Sequence, residues 1–171
     1  REARLLLQIA YPEIAEDGIA ELVERCEGWP AALYLGALSL RDPSPASLPS
    51  RHFAGSDRFL ADYLRTEYVS ELAPRDLRFL RRGSILGALS GPLCDSVLQT
   101  EGSASDLERI ARANLLVEQH DRGTGWFRVH PLFRDLLLRE LAEFEPQLIR
   151  SLHHRAADWY EANGDLETAL E

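Results

Sequence analysis

Histidine is the side chain whose charge changes most readily near neutral pH, and this chain has five of them. His130 lies within residues 126–133, WFRVHPLF. Its first five residues alternate bulky apolar with polar side chains, as a half-buried strand does. Pro131 instead suits the first turn of a helix. The pattern predicts that His130 lies at a strand-to-helix junction, where unpaired amides and the helix dipole favour an anion.

Other groups that could do chemistry have simpler interpretations. His153 and His154 are neighbours on a predicted helix, so they do not share a face and are expected to point into solvent rather than hold a metal. One helix carries three carboxylates that are interpreted as its solvated face and not as an acid–base pair: Asp57, Asp62 and Glu67.

A second candidate site is the corner formed by Gly28, Trp29 and Pro30, which separates two predicted helices. Gly28 can take the left-handed conformation that closes a helix, and Pro30 can start the next one. From the residues alone this is a helix-breaking corner with Trp29 in the core. The helix that follows, residues 31–40, is apolar on nearly every side, which predicts burial between other elements.

Composition bounds the function. The chain has 171 residues, is 45% hydrophobic and carries a formal net charge of −9, which disfavours a general affinity for nucleic acid or anionic membranes. No apolar run approaches the roughly 20 residues that a membrane span needs. Cys26 and Cys94 lie among apolar residues and are interpreted as buried thiols, with no disulfide or zinc site expected.

The middle of the chain has the element order of a winged helix. Residues 115–120 and 125–130 alternate as strands, and residues 121–124 (DRGT) predict the hairpin turn between them. A capping box, Ser105 with Glu108, predicts the start of the helix before this hairpin. Helices are predicted at residues 74–86, 92–99 and 105–113 before the hairpin and at residues 131–144 after it.

Proline and serine at residues 42–50 predict a linker before this module. After it, Pro146 opens a long helix, and a turn at residues 163–165 leads to another, the pattern of a first helical-repeat unit. The predicted fold is mainly α. Its predicted domains are a helical-domain remnant with linker (residues 1–50), a winged helix with a small β-hairpin (residues 51–144) and the start of a TPR-like helical-repeat sensor (residues 145–171).

Five segments in order resemble the MalT-like signal-transduction ATPases, bacterial transcriptional activators of the LuxR-type class. Residues 156–160, AADWY, also resemble the start of the helical-repeat sensor in that family. The resemblance covers almost the whole chain. The five segments are residues 28–33 (GWPAAL), 53–55 (FAG), 59–64 (FLADYL), 84–86 (SIL) and 126–133 (WFRVHPLF).

The resemblance implies an architecture and a cofactor. In this family a P-loop ATPase domain precedes the helical domain, winged helix, superhelical sensor and C-terminal DNA-binding module; a similar ATPase region also occurs fused to protein kinases. The family's Gly-x-Pro motif, whose proline packs near the adenine of ADP, matches Gly28, Trp29 and Pro30. His130 matches the histidine that reaches the ADP phosphates. The family class often has Met-His-Asp where this chain has Val129, His130 and Pro131, so the acid that would orient the ring is missing.

These observations predict a cytoplasmic regulatory segment of an ADP/ATP-switched transcriptional regulator. The expected partners are its own nucleotide-binding domain and an inducer or protein on the downstream array. With no lysine the chain has no P-loop, so it is not expected to be an enzyme alone or to bind nucleotide tightly. The alternative is a stand-alone scaffold that binds protein or DNA. Direct DNA binding is not expected, because Arg109 and Arg112 share a helix with Asp106 and Glu108.

Overall fold

A computed structural model describes residues 5, 7–9, 12, 16–41, 58–114, 116–120 and 125–164. The chain divides into two compact units, Arg1–Glu67 and Tyr68–Glu171, and each is described by itself. The predicted linker at residues 42–50, the hairpin turn at residues 121–124 and the helix from residue 166 lie outside the described residues.

Unit 1 contains α1 (Glu16–Arg25), α2 (Pro30–Arg41) and α3 (Arg58–Leu64). Helix α1 buries Ile19 and Leu22, the apolar stripe expected from its spacing. Helix α2 departs from the prediction that it is buried on every side, because Tyr34 is 57% exposed. A tyrosine tolerates such a position, since its hydroxyl remains hydrated while its ring covers apolar surface.

Helix α3 continues as a π-helical turn, Arg65–Val69, which the sequence did not predict. Within this region the Thr66 hydroxyl donates to the Asp62 carbonyl at 2.9 Å. Such a bond from a threonine back to the preceding turn competes with the backbone ladder and bends helices. The boundary between the two units falls inside this turn.

Unit 2 combines helices with a three-stranded antiparallel sheet in the order β1-β3-β2. Leu89 of β1 pairs with Phe127 of β3, and Val117 of β2 pairs with Val129. The predicted hairpin strands are present as β2 and β3, whereas the two-residue strand β1 was not predicted. The elements in order are α4 (Pro74–Gly83), β1 (Leu89–Ser90), α5 (Gly91–Leu98), α6 (Ser103–Ala113), β2 (Val117–Gln119), β3 (Trp126–Val129), α7 (Pro131–Phe144) and α8 (Pro146–Ala162).

Two local predictions in unit 2 were wrong. Helix α6 begins at Ser103 and not at the proposed capping box, and the Ser103 amide donates instead to the Asp95 carboxylate at 3.0 Å. A tertiary partner from α5 thus replaces the local cap at Ser105. Leu86 was assigned to the helix that begins at Pro74, but α4 ends at Gly83; Leu86 is nevertheless buried.

Helices α5 and α6 approach each other very closely at Gly91. A methyl group at that position would meet the Ala104 Cβ at 2.7 Å and the Ala104 amide nitrogen at 3.0 Å. Backbone therefore packs directly against a side chain here, and only glycine fits.

The last two helices carry much of the core of unit 2. Helix α7 buries its apolar face, including Phe133 at 0% exposure, and α8 buries Leu152, Ala156 and Tyr160. The rings of Trp159 and Trp126 of β3 pack in a T-shaped arrangement, with centroids 6.4 Å apart. Among the described residues no helix is long and apolar enough to cross a membrane.

Candidate functional site

His130 lies between β3 and α7, as its sequence neighbourhood predicted. Its amide donates to the Leu116 carbonyl at 2.7 Å, which extends the pairing of β3 with β2 by one residue. Its carbonyl accepts from the amides of Phe133 at 3.0 Å and Arg134 at 2.9 Å, which closes the first turn of α7. The backbone of one residue therefore ends the strand and begins the helix.

The side chain of His130 completes this turn. Its Nδ1 atom accepts from the Leu132 amide at 3.3 Å, so the imidazole caps its own helix. The prediction of unpaired amides at this helix start was wrong for the first turn: Leu132, Phe133 and Arg134 all donate to His130. The physical reason is that Pro131 brings no N–H and that a histidine, like an asparagine, presents an acceptor two bonds beyond its Cβ.

The hydrogen bond to Nδ1 determines which ring nitrogen carries the proton. When Nδ1 of a neutral imidazole accepts a hydrogen bond, the proton resides on Nε2, which is then a donor. The Nε2 atom is buried, although the residue as a whole is only partly buried. A ligand can therefore reach this N–H only after the side chain or its cover moves.

Two further polar side chains hold the junction in place, and sequence reasoning did not single them out. The Arg134 guanidinium donates to the Ser84 carbonyl at 2.7 Å and the Ile85 carbonyl at 3.3 Å, which ties the first turn of α7 to the end of α4. The Asn114 side chain accepts from the Leu116 amide at 2.8 Å and so positions the residue before β2 whose carbonyl accepts from the His130 amide. Helix α7 carries four other charged residues, so no pattern in the sequence singled out Arg134.

The second candidate site, Gly28 with Trp29 and Pro30, lies in unit 1. Gly28 has a φ of +82°, as its proposed role in closing α1 requires, and the preceding Glu27 is also left-handed at +47°. The Trp29 amide donates to the Cys26 carbonyl at 2.8 Å, and its ring packs against Tyr63 with centroids 5.8 Å apart. Pro30 begins α2 and is exposed, whereas Trp29 is half-buried.

Helix α6, which would be compared with a DNA-reading helix, carries arginines whose charges are balanced. Arg109 donates to Asp76 at 2.8 Å and to Asp106 at 2.9 Å, and Arg112 donates to Glu108 at 3.0 Å. The hydrogen bond from Arg109 holds the pKa of the Asp76 carboxyl below its usual value. A phosphate backbone would have to displace these carboxylates.

A second junction, between α7 and α8, is held by long-range ion pairs. The Arg82 Nε–H group is shared between the two oxygens of the Glu145 carboxylate, 3.2 Å from each, and this carboxylate also lies 3.6 Å from Arg81. The bond from Arg82 lowers the pKa of Glu145, and the same bond raises the pKa of Arg82. Sequence reasoning gave Glu145 no role, because its hydrogen-bond partner Arg82 lies 63 residues earlier.

The remaining candidates agree with their simple interpretations. His153 and His154 are exposed, as are Asp62 and Glu67; Asp57 lies outside the described residues. Over the described ranges no group of His, Cys, Asp or Glu could hold a metal ion. The two thiols share one environment, in which burial raises the pKa of each to about 12: Cys26 and Cys94.

Comparison with known proteins identifies a family that this chain matches. Residues 60–149 match the MalT winged helix domain. The chain is 34% identical over 154 residues to the HTH-type transcriptional regulator MalT of Klebsiella pneumoniae subsp. pneumoniae, covering 88% of this chain and 17% of that protein. The corresponding match in Yersinia pestis is 33% identical over 148 residues, or 85% of this chain and 16% of the regulator.

A relative with another name matches the same region. The serine/threonine-protein kinase PknK of Mycobacterium tuberculosis is 29% identical over 153 residues, which is 90% of this chain and 14% of the kinase. The chain thus spans less than a fifth of the length of the curated relatives it matches. The family match covers more than half of its residues, including β3, His130 and α7. This chain belongs to the MalT winged helix domain family.

Proposed function

We propose that this chain is the regulatory segment of an ADP/ATP-switched bacterial transcriptional regulator, in which the winged helix helps to hold ADP and the inactive state. The partner would be the nucleotide-binding domain of the same protein. An inducer on a downstream TPR-like array would release this state, in the cytoplasm. The support is the family membership together with the strand-to-helix junction at His130.

His130 is the proposed contact to the ADP phosphates. The bond from the Leu132 amide to Nδ1 favours the tautomer that carries its proton on Nε2, so the distal nitrogen is a donor. A hydrogen bond from this N–H to an anionic oxygen is stronger than one to a neutral acceptor. Because Nε2 is buried, the closed state must expose it, and the junction is then a place where nucleotide contact and local geometry are linked.

Pro30 is the proposed apolar wall for the adenine, with Gly28 and Trp29 setting its position. Pro30 is exposed at the first turn of α2, and the left-handed Gly28 directs the chain into that turn. The contact between the Trp29 and Tyr63 rings holds the residues of this corner in place. In this proposal Trp29 is a positioning residue and Pro30 the contact.

The test compares two substitutions of His130 in the full-length protein. His130→Ala removes both the helix cap and the imidazole, whereas His130→Ser keeps an acceptor for the Leu132 amide and removes only the distal N–H. If Nε2 contacts ADP, both variants retain less ADP after purification and show higher basal transcription of a reporter gene. Arg112→Ala, on the exposed side of α6, is the control.

The outcomes separate contact from folding. Loss of ADP in His130→Ala alone would assign the histidine a purely structural role, and unchanged ADP affinity in both would overturn the proposal. The chain by itself is proposed neither to hydrolyse ATP nor to bind nucleotide tightly. Phosphate release above the no-protein background by this 171-residue chain would contradict that.

A further inference from the structure

The backbone passes from α7 to α8 through a single residue, Glu145. It has φ −137° and ψ 46°, outside the helical region, and Pro146 follows as the first residue of α8. Its amide donates to the Leu141 carbonyl at 2.9 Å and its carbonyl accepts from Leu148 at 3.0 Å. The direction in which α8 leaves α7 therefore depends on the backbone angles of Glu145 together with the packing of the buried residues of α8.

The side chain of Glu145 is not used as acidic residues before a helix normally are. An aspartate at this position usually accepts from amides of the first turn, and any carboxylate there is favoured by the helix dipole. Here it makes no hydrogen bond to its own helix and binds Arg82 and Arg81, in the last turn of α4. The Glu145 side chain is 16% exposed, so water screens these bonds only in part.

The carboxylate could take a second arrangement by rotation of its side chain. Bound to Arg82 it ties the junction to α4, and turned through its own torsions it would cap α8. A switch requires a group that can exchange one set of partners for another. The Arg81 guanidinium also lies over the Phe144 ring, 5.3 Å from its centroid, so the same arginine cluster holds the last residue of α7.

The far end of α8 has a separate contact, between Trp159 and Trp126. Trp126 is the first residue of β3, and His130 directly follows the last, Val129. Movement of α8 about Glu145 would therefore pull on the strand that carries the proposed nucleotide contact.

We propose that Glu145 is a two-position latch. Bound to Arg81 and Arg82, it fixes the direction of α8 on the winged helix; released, it caps α8 and lets the helix move. This inference rests on the proposed function only in that the movement carries the signal of the downstream array to His130.

The latch is tested first on the isolated chain by distances between spin labels. Labels are attached to Ser96→Cys on α5 and His154→Cys on α8, both at exposed positions. The native thiols are buried with pKa values of about 12, so they react slowly with the label. The parent is expected to give one narrow distance distribution. Glu145→Ala and the milder Glu145→Gln should each add a second population or broaden the first.

Glu108→Gln is the matched control, because it removes a carboxylate bonded to Arg112 away from the junction. It should leave the distribution narrow. The charge swap of Glu145→Arg with Arg82→Glu should restore much of the narrow population, which a general loss of stability would not explain. An unchanged narrow distribution in both Glu145 variants would overturn the latch.

The signalling role is tested in the full-length protein. Glu145→Ala is expected to raise basal reporter transcription about fivefold, at the lower end of the range for coupled sites. Altered distances with unchanged transcription would overturn the coupling role. The proposed function itself fails separately, through unchanged ADP retention in His130→Ala and His130→Ser.

Discussion

Two helices of unit 2 each begin with a proline that follows a polar residue, but the two polar side chains bind different partners. Helix α7 starts at Pro131 after His130, and α8 starts at Pro146 after Glu145. The imidazole turns back onto its own first turn, bonding the Leu132 amide, whereas the carboxylate turns away to Arg82.

The residues that follow the two helix starts also differ in burial. Leu132 and Phe133 follow the first start and are fully buried, at 0% exposure each. Gln147 and Leu148 occupy the equivalent places after the second, where the former is exposed and the latter half-buried. A locally capped, core-anchored start is suited to holding a position, and a start fixed by distant charges is suited to releasing one.

The largest difference between the two helix starts is expected for Phe133→Ala and Leu148→Ala, which lie at equivalent places in the two helices. Phe133→Ala should lower the free energy of unfolding by about 3–5 kcal/mol, because it leaves a cavity in the core. Leu148→Ala should cost about 1 kcal/mol, since its side chain is only half-buried. Urea denaturation followed by circular dichroism measures both. Equal losses would show that the second start is as deeply anchored as the first.

Removal of the distant partner should have an intermediate effect. Arg82→Ala is expected to cost about 1–2 kcal/mol, since it removes charge-assisted hydrogen bonds in a partly exposed site and leaves Glu145 at the junction. Arg75→Ala is the control, because the Arg75 side chain is 73% exposed in its pair with Asp106 and should contribute little. The same urea titration applies, and a cost for Arg75→Ala as large as that for Arg82→Ala would contradict the assignment.

Loss of the local cap should cost about 1 kcal/mol. His130→Ala removes the acceptor for the Leu132 amide, and His130→Asn should recover most of that loss because asparagine is a favoured N-cap. Thermal denaturation of the parent and the two variants compares them. If the asparagine variant is no more stable than the alanine variant, the Nδ1 bond contributes nothing to folding.

The smallest effect is a change in the pH dependence of stability. The folded-state pKa of Glu145 is lowered by the Arg82 hydrogen bond, so its contribution is fully present above the unfolded pKa of about 4 and is lost as pH falls through the folded value. Glu145→Gln should therefore flatten the decline in stability below about pH 5. Melting temperatures between pH 3 and 7 measure it. A decline as steep as that of the parent would assign the acid sensitivity to other carboxylates, such as Asp76.

The two starts also show what sequence reasoning can reach. The period-2 pattern before His130 and the proline after it predicted the junction, and the helix of residues 131–144 was predicted with both ends correct. These signals lie within a few residues of what they describe. The role of Glu145 depends on Arg82, and the start of α6 on Asp95; no local pattern contains those partners.

The same limit explains the other differences. Strand β1 has only two residues, which pair with β3. Two residues are too few to show an alternating pattern in the sequence. The prediction of unpaired amides at the start of α7 was wrong, because His130 itself accepts from those amides. The domain boundaries at residues 50/51 and 144/145 and the nucleotide roles of His130 and Pro30 stay predictions.

The close approach at Gly91 has a consequence for how this module can change over generations. With the Ala104 amide 3.0 Å from where a Cβ would stand, α6 cannot slide along α5 by one residue without placing a larger atom in the same gap. Drift elsewhere on the two helices is unconstrained by this contact. Positions 91 and 104 are instead expected to vary as a pair, so a related chain that lacks glycine at the first should have its two helices set further apart.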